Sequence, residues 1–291
     1  MENHDAEKMR SIFETNLSQL GCCFLNNNRY SIGISVISQA LFTQLFIFFY
    51  NAKIIDMNAQ KLAREYIQIN DDNGKVIGCG FNQSWLNNTD LKGLSNQGCG
   101  MISAIDCGLY LANNTSISRQ DYIQLCHQFS SAIVFAKLFT KEFFGKISIG
   151  ILPFQICKYI NSLKPIQMKA KWNGIHGHKN MLSTMEEMLT HNIPVIWGLY
   201  RYNHRITLYS YDSKNNQYKA TASTNSHYVN AIAIIHTDTQ IHNTMIKVSS
   251  WGQIFYIDYD EYLAYVGNSI ISKFCSNIVV IEFVVQSYNP L

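Results

Sequence analysis

At 291 residues, 47% of them hydrophobic, the chain is long enough to bury a full core as one domain or as a domain with an extension. Its net charge of +3, from 23 scattered basic and 20 acidic residues, excludes a nucleic-acid surface as its organising feature. The eight cysteines are irregularly spaced and follow no secretory signal, so they read as mostly free thiols rather than a disulfide framework.

The first residues, MENHDAEKMRSIFETN, are polar and partly acidic, which suits neither a Sec signal nor an Arg-rich transit peptide. This places the protein in the cytoplasm of its producer, or has it exported by a Sec-independent system as a secreted effector. Helical patterns follow in SIFETNLSQL, ALFTQLFIFFY and DMNAQKLAREYI. Between Arg29 and Lys53 no residue carries a formal charge, and the run is long enough to cross a bilayer. Gln39, Gln44, several serines and Gly33 favour a short strand (Tyr30 to Val36) and then a buried helix from about Ser38, with membrane association as the minor reading. The DDNG turn at 71–74 closes this part, giving a mostly helical extension over 1–75 and a second domain over 76–291.

After the turn, GKVIGCG reads as a strand leading into an Asn-, Gly- and Ser-rich loop as far as Gly98. A helix is expected from Cys99 to about Leu111, with Ile102, Ile105, Leu109 and Met101 as its apolar stripe. Another follows SISRQDYIQLCH, capped by Ser118 with Asp121 three residues on, and a third covers 181–192. From Ile193 the period shortens to two, and IPVIWGLY, HYVNAIAII, TMIKVSSW, IFYIDY and SNIVVIEFVV read as strands. Helices first and strands later make an α+β protein with segregated elements.

The stretch LSNQGCGMISAID sets Cys99 between two glycines at a helix start. There, free backbone N–H groups and the helix dipole favour a thiolate, and the flanking glycines leave space for another backbone or a substrate. A lone cysteine at such a place is commonly just a small buried residue. Two further elements bear on it: His227 opens the apolar strand of TNSHYVNAIAII, and the next strand ends in Ser-Ser-Trp-Gly.

Cys at a helix start, His at a strand start, then SWG after a strand resembles the papain superfamily of cysteine peptidases. The likeness is closer to its bacterial bacteriocin-processing, double-glycine-leader branch, through FNQSWLNNTDLKGLSNQGCGMISAI with Gln83 and Trp85 upstream. It covers about Gly78 to Tyr265, and the Cys99–His227 interval of 128 residues lies close to the roughly 130 to 150 of papain-type chains.

The resemblance implies a papain-like fold, with a helical half carrying the cysteine and an antiparallel β half carrying the histidine. It implies Cys99 as nucleophile and His227 as base, and an oxyanion hole from the Cys99 backbone N–H with Gln83; Gln97 stands too close to the thiol. Ser249 occupies the position of the Asn or Asp that orients the histidine. A hydroxyl can accept a bond from imidazole but does not stabilise imidazolium as a carboxylate does, so Asp258 is an alternative orienter and lost activity another outcome. Trp251 is implied to shield the pair from water.

The implied function is a cysteine-dependent hydrolase or acyltransferase acting on peptide or isopeptide bonds through a thioester. A glutamine deamidase or transglutaminase-like enzyme and an inactive binding module on the same fold are the alternatives. The partner is a protein or peptide substrate; no nucleic acid, cofactor or metal is expected, and no oligomeric state is read. His176 and His178 in GIHGH read as a surface loop rather than a metal site, Cys107 as structural, and Glu186, Glu187 and Asp121 as solvated helix faces.

Overall fold

The computed structural model describes residues 59–132, 150–164, 168–237 and 242–283. The chain divides into units Met1–Met57 and Asn58–Leu291, and the described residues belong to the second. The expected helices in SIFETNLSQL and ALFTQLFIFFY, and the uncharged run from 30 to 52, lie outside the described residues. Among the described residues no helix is long and apolar enough to cross a membrane.

In chain order the elements are β1 (Ala59–Lys61), β2 (Gln68–Asn70), β3 (Val76–Cys79), α1 (Cys99–Leu111), β4 (Ser116–Ser118), α2 (Arg119–Ala132) and α3 (Pro153–Ser162). Then come β5 (Met168–Trp172), α4 (Met181–Thr190), β6 (Val195–Tyr200), β7 (Ile206–Asp212), β8 (Gln217–Thr224) and β9 (Ser226–His236). β10 (Thr244–Ser250), β11 (Gln253–Asp258), α5 (Tyr259–Val266), α6 (Ile270–Cys275) and β12 (Ile278–Phe283) complete the order. The fold is α+β, built on a nine-stranded sheet in the order β5-β12-β6-β9-β10-β11-β7-β8, with β1 paired to β9 at Ala233–Ile235 beyond the reach of β6. Its pairings are antiparallel. A small second sheet, β3-β2-β4, mixes one antiparallel and one parallel pairing.

The region before residue 75 differs from its expected form. From Ala59, the first described residue, the segment expected as the helix DMNAQKLAREYI forms strand β1 and then non-helical backbone. Tertiary bonds override the periodicity: the Ala63 N–H donates to Asn192 Oδ1 (2.8 Å), the Arg64 N–H to the Tyr110 hydroxyl (3.2 Å), and Leu62, Tyr66 and Ile67 are buried. The DDNG turn is present, but it joins β2 to β3 as a hairpin and so falls inside the compact unit rather than at its edge. The boundary expected at 75 moves to residue 57.

The elements after the turn match the expected pattern more closely. α1 occupies Cys99–Leu111, and α2 starts where the Ser118 hydroxyl accepts from the Asp121 N–H (3.0 Å) while bonding the Asp121 carboxylate (2.7 Å). α1 is not amphipathic, however: Gly100 to Tyr110 are all buried, because β9 and β6 pack on it together with α2 and α3. A helix enclosed on all sides is held in register by its neighbours, each wholly buried Ile or Leu contributing about 1.5–3 kcal/mol.

The approach of α1 to β9 fixes the site. A Cβ at Gly100 would stand 2.9 Å from Ile151 Cβ and 3.1 Å from the Tyr228 ring, and one at Gly98 would stand 2.6 Å from the Leu94 carbonyl oxygen. The space left by the glycines around Cys99 is therefore filled by the chain itself, not held open for a substrate. Deeper in the contact, buried Asn230 on β9 donates to the Ser103 carbonyl of α1 (3.0 Å). Gly100→Ala gains at most about 1 kcal/mol of helix propensity and costs about 1–3 kcal/mol of overpacking. Urea denaturation is expected to show a net loss of stability; a more stable variant would mean that the helix start is not tightly seated on β9.

Candidate active site

Cys99, His227, Gln83 and Ser249, drawn from four separate parts of the sequence, line one cavity beside Phe81, Asp106 and Trp251. Its free volume is about 10 Å³, room for a single water. Cys99 is half-buried at the first position of α1, where helix geometry leaves backbone N–H groups without intrahelical acceptors. Gln83 opens the 3-10 turn Gln83–Asn88, whose start is set by the Asn82 side chain accepting from the Ser84 N–H. Gln97 does not line the cavity; its N–H is spent on the Leu94 carbonyl in the turn before α1.

His227 is buried near the start of β9, and its Nε2 lies 2.7 Å from Ser250 Oγ. Ser249, the expected orienter, does something else: its hydroxyl donates to the Cys79 carbonyl at 2.8 Å. Strand parity explains the exchange. Ser249 stands opposite Asn230 in the β9–β10 register, three residues from His227 and so on the other face, whereas Ser250, one residue on, shares the face of His227. Asp258, the alternative orienter, is committed elsewhere: Oδ1 accepts from the N–H groups of Asp260 and Glu261 to cap α5, and Oδ2 pairs with His242.

Trp251 covers the imidazole in a stacked arrangement, with ring centroids 4.6 Å apart and planes 28° apart, and Phe255 meets its edge. It does so from a two-residue hairpin turn between β10 and β11 in which Trp251 (φ +49°) and Gly252 (φ +74°) both have positive φ, the signature of a type I′ turn. A bulky residue rarely adopts this conformation, and here the two ring contacts hold it there.

Burial dominates the protonation of the pair. It raises the Cys99 thiol pKa, against the backbone N–H groups of Tyr228, Gly100 and Cys99 itself, which lower it. The helix start acts in the expected direction and is outweighed. Burial also pushes His227 down to about 3, so thiol and imidazole are both neutral at pH 7.

Asp106 is the functional candidate that the motifs do not single out. It is buried two turns into α1, where Oδ1 accepts from the Tyr122 hydroxyl (2.6 Å) and Oδ2 from the Phe81 N–H (3.3 Å). Burial raises its carboxyl to about 7. A signal was available: Asp106 is the one charged residue in CGMISAIDCGLYL. Asn230 also lines the cavity, and its buried Oδ1 accepts no hydrogen bond among the described residues.

Other sequence candidates lie apart. Cys107 is buried against the Pro194 carbonyl, and burial raises its thiol pKa. His178 is half-buried and bridges the Tyr262 hydroxyl (3.1 Å) and the Ser276 carbonyl (2.6 Å), so it is a packing residue rather than part of a free surface loop. Glu186 pairs with His236 (3.0 Å). No metal-ligand cluster occurs among the described residues, and the described cysteines are free thiols. Comparison of the chain with family models, with curated protein sequences and with solved structures finds no match in any of the three.

The shifts of His227 and Asp106 have opposite consequences for stability. The histidine's pKa is lowered from 6.5, so its contribution is present above pH 6.5 and lost as pH falls towards 3. The carboxyl's is raised from 3.8, so its contribution is present below pH 3.8 and lost as pH rises through 7. Each effect is on the order of 4–5 kcal/mol, at about 1.4 kcal/mol per pH unit, and between pH 4 and 6.5 they oppose one another. In denaturant titrations His227→Gln is expected to lose stability from pH 4 to 7 and Asp106→Asn to gain it. Parallel profiles in both variants would contradict these protonation states.

Proposed function

We propose that the protein is a cysteine-dependent hydrolase or acyltransferase of papain-like type, acting on peptide or isopeptide bonds through a thioester at Cys99. The observation that carries this reading is one cavity lined by a thiol at a helix start and by an imidazole whose Nε2 is held by Ser250 and whose face is covered by Trp251. With Nε2–H donating to Ser250, Nδ1 is left to accept the thiol proton. Because both groups start neutral, proton transfer accompanies attack rather than preceding it.

Sγ then bonds to the carbonyl carbon, and the oxyanion is received by the Cys99 N–H and the Gln83 amide. Collapse expels the amine, which leaves with the proton from His227, and forms the thioester. Water hydrolyses it, or a second amine takes the acyl group; with a glutamine side chain as the acyl donor the same steps give deamidation or transamidation.

A second reading is also favoured by an observation: the cavity is the size of one water, and burial disfavours both charged partners. These features suit a binding module that has kept the layout without the chemistry. A peptide vinyl sulfone separates the two. Under the catalytic reading it labels Cys99 in preference to Cys79 and Cys275, the other half-buried described thiols. Labelling is expected to fall by about 10²-fold or more in His227→Ala and by less in Ser250→Ala, since the first loses the proton acceptor and the second only the group that orients it. Equal labelling of the three thiols, indifferent to His227, would leave the binding module.

A further inference from the structure

We propose that helix α6 and the loop before β7 form a docking surface for a membrane rich in anionic lipid, on which the protein sits peripherally. This surface acts independently of the chemistry at Cys99.

Helix α6 and the two residues after it are amphipathic with the faces exchanged. Ile270, Ile271 and Phe274 are 85%, 69% and 43% exposed, whereas Ser272, Ser276 and Asn277 are buried. At about 100° per residue, Ile270, Phe274 and Ile271 fall within one arc of about 100°, so the apolar side chains share one outward face. The polar groups tie the segment to the fold. The Ser276 hydroxyl accepts from the Tyr200 N–H (2.7 Å) and donates to the Tyr200 carbonyl (2.6 Å), and Asn277 Nδ2 donates to the Gly177 carbonyl (3.2 Å). Packing thus accounts for the buried polar residues of this segment and not for its exposed isoleucines. A clustered apolar surface of this kind marks a contact site, where a single exposed side chain would not.

The loop 201–205 adjoins the same corner. Arg201 donates to the Ala264 carbonyl near the end of α5 (3.1 Å), and its guanidinium lies 3.2 Å from the place a Cβ would take at Gly267, three residues before α6. Next to it Tyr202 is 76% exposed, and Leu263 on the last turn of α5 is exposed as well.

The charges around this surface select its partner. Residues 200–206 and 262–276 include Arg201, Arg205 and Lys273 and no Asp or Glu. The carboxylates of α5, Asp260 and Glu261, stand at its opposite end, bonded there by Asn243 and the Tyr209 hydroxyl. Protruding apolar side chains beside a tyrosine and three cations suit the headgroup layer of an anionic membrane. A groove on another protein is a poorer fit, because a six-residue helix cannot present the i, i+3, i+4, i+7 row by which a helix fills one.

The test is flotation of the full chain with extruded vesicles of phosphatidylcholine, alone or mixed with phosphatidylglycerol. The parent is compared with the double variant Ile270→Ser, Ile271→Ser and with Lys273→Glu, each checked for folding by near-ultraviolet circular dichroism. The parent is expected to bind the mixed vesicles about tenfold or more tightly than phosphatidylcholine alone, and to lose this preference as salt is added. The double serine variant is expected to lose about tenfold or more in affinity for the mixed vesicles. Lys273→Glu is expected to lose about fivefold or more, the effect of one basic residue near an anionic surface.

If the parent binds the mixed vesicles and both variants match it, another part of the chain carries the binding and lipid docking at α6 is overturned. Equal binding to the two lipid compositions, or no binding to either, would also overturn it. A parent that is dimeric by light scattering, and that the serine pair splits into monomers, would mean instead that a second copy of the chain covers this face.

Discussion

The site depends on how closely the first turn of α1 can lie against the beginning of β9. Gly100 permits that approach by leaving room for Ile151 and the Tyr228 ring, and the bond from Asn230 to the Ser103 carbonyl fixes it one turn further in. Once the helix is seated, the Tyr228 backbone N–H reaches the Cys99 thiol, and His227, the preceding residue, is brought to the same cavity. A large antiparallel sheet and an enclosed helix are thus joined at one contact, and the candidate site is assembled around it.

The same enclosure determines the electrostatics. Helix starts favour thiolates, and the backbone N–H groups at Cys99 and Gly100 do pull the thiol pKa down, but removing the sulfur from water outweighs them. The imidazole is subject to the corresponding penalty with the opposite sign. Burial therefore holds both members of the pair neutral at pH 7. Asp106 is a further buried carboxyl on the cavity lining, and the glycine that brings it beside Ser249 lies at the end of β3.

The sequence made much of this arrangement legible. The period change at Ile193, the extent of α1 and the Ser118 cap were all readable, because they depend on local pattern and capping chemistry. The gathering of Cys99, His227 and Gln83 around one cavity was also expected, through the family resemblance that their motifs carry rather than any local signal. Two things were not readable. The identity of the orienting serine depends on strand register: adjacent serines point to opposite faces, and only the pairing of Ser249 with Asn230 shows which of them joins His227. The segment 59–67 carries a helical period but is held out of a helix by Asn192 and Tyr110, more than 40 residues away in sequence, and no window of sequence contains that information. Asp106 was hidden for a different reason, since a carboxylate in an apolar helix reads as an exception to a core pattern rather than as part of a site.

The most direct test of the central claim, that Cys99 acts as a nucleophile through His227, is the pre-steady-state reaction of the protein with a p-nitrophenyl ester, followed by intact-mass and peptide analysis. The account predicts a burst of about one equivalent of p-nitrophenol per chain, with the acyl group on Cys99 and the burst rate sharply reduced in His227→Ala, as expected for an acyl-enzyme. Absence of a burst, or acyl groups spread over several cysteines at rates that do not depend on His227, would contradict it.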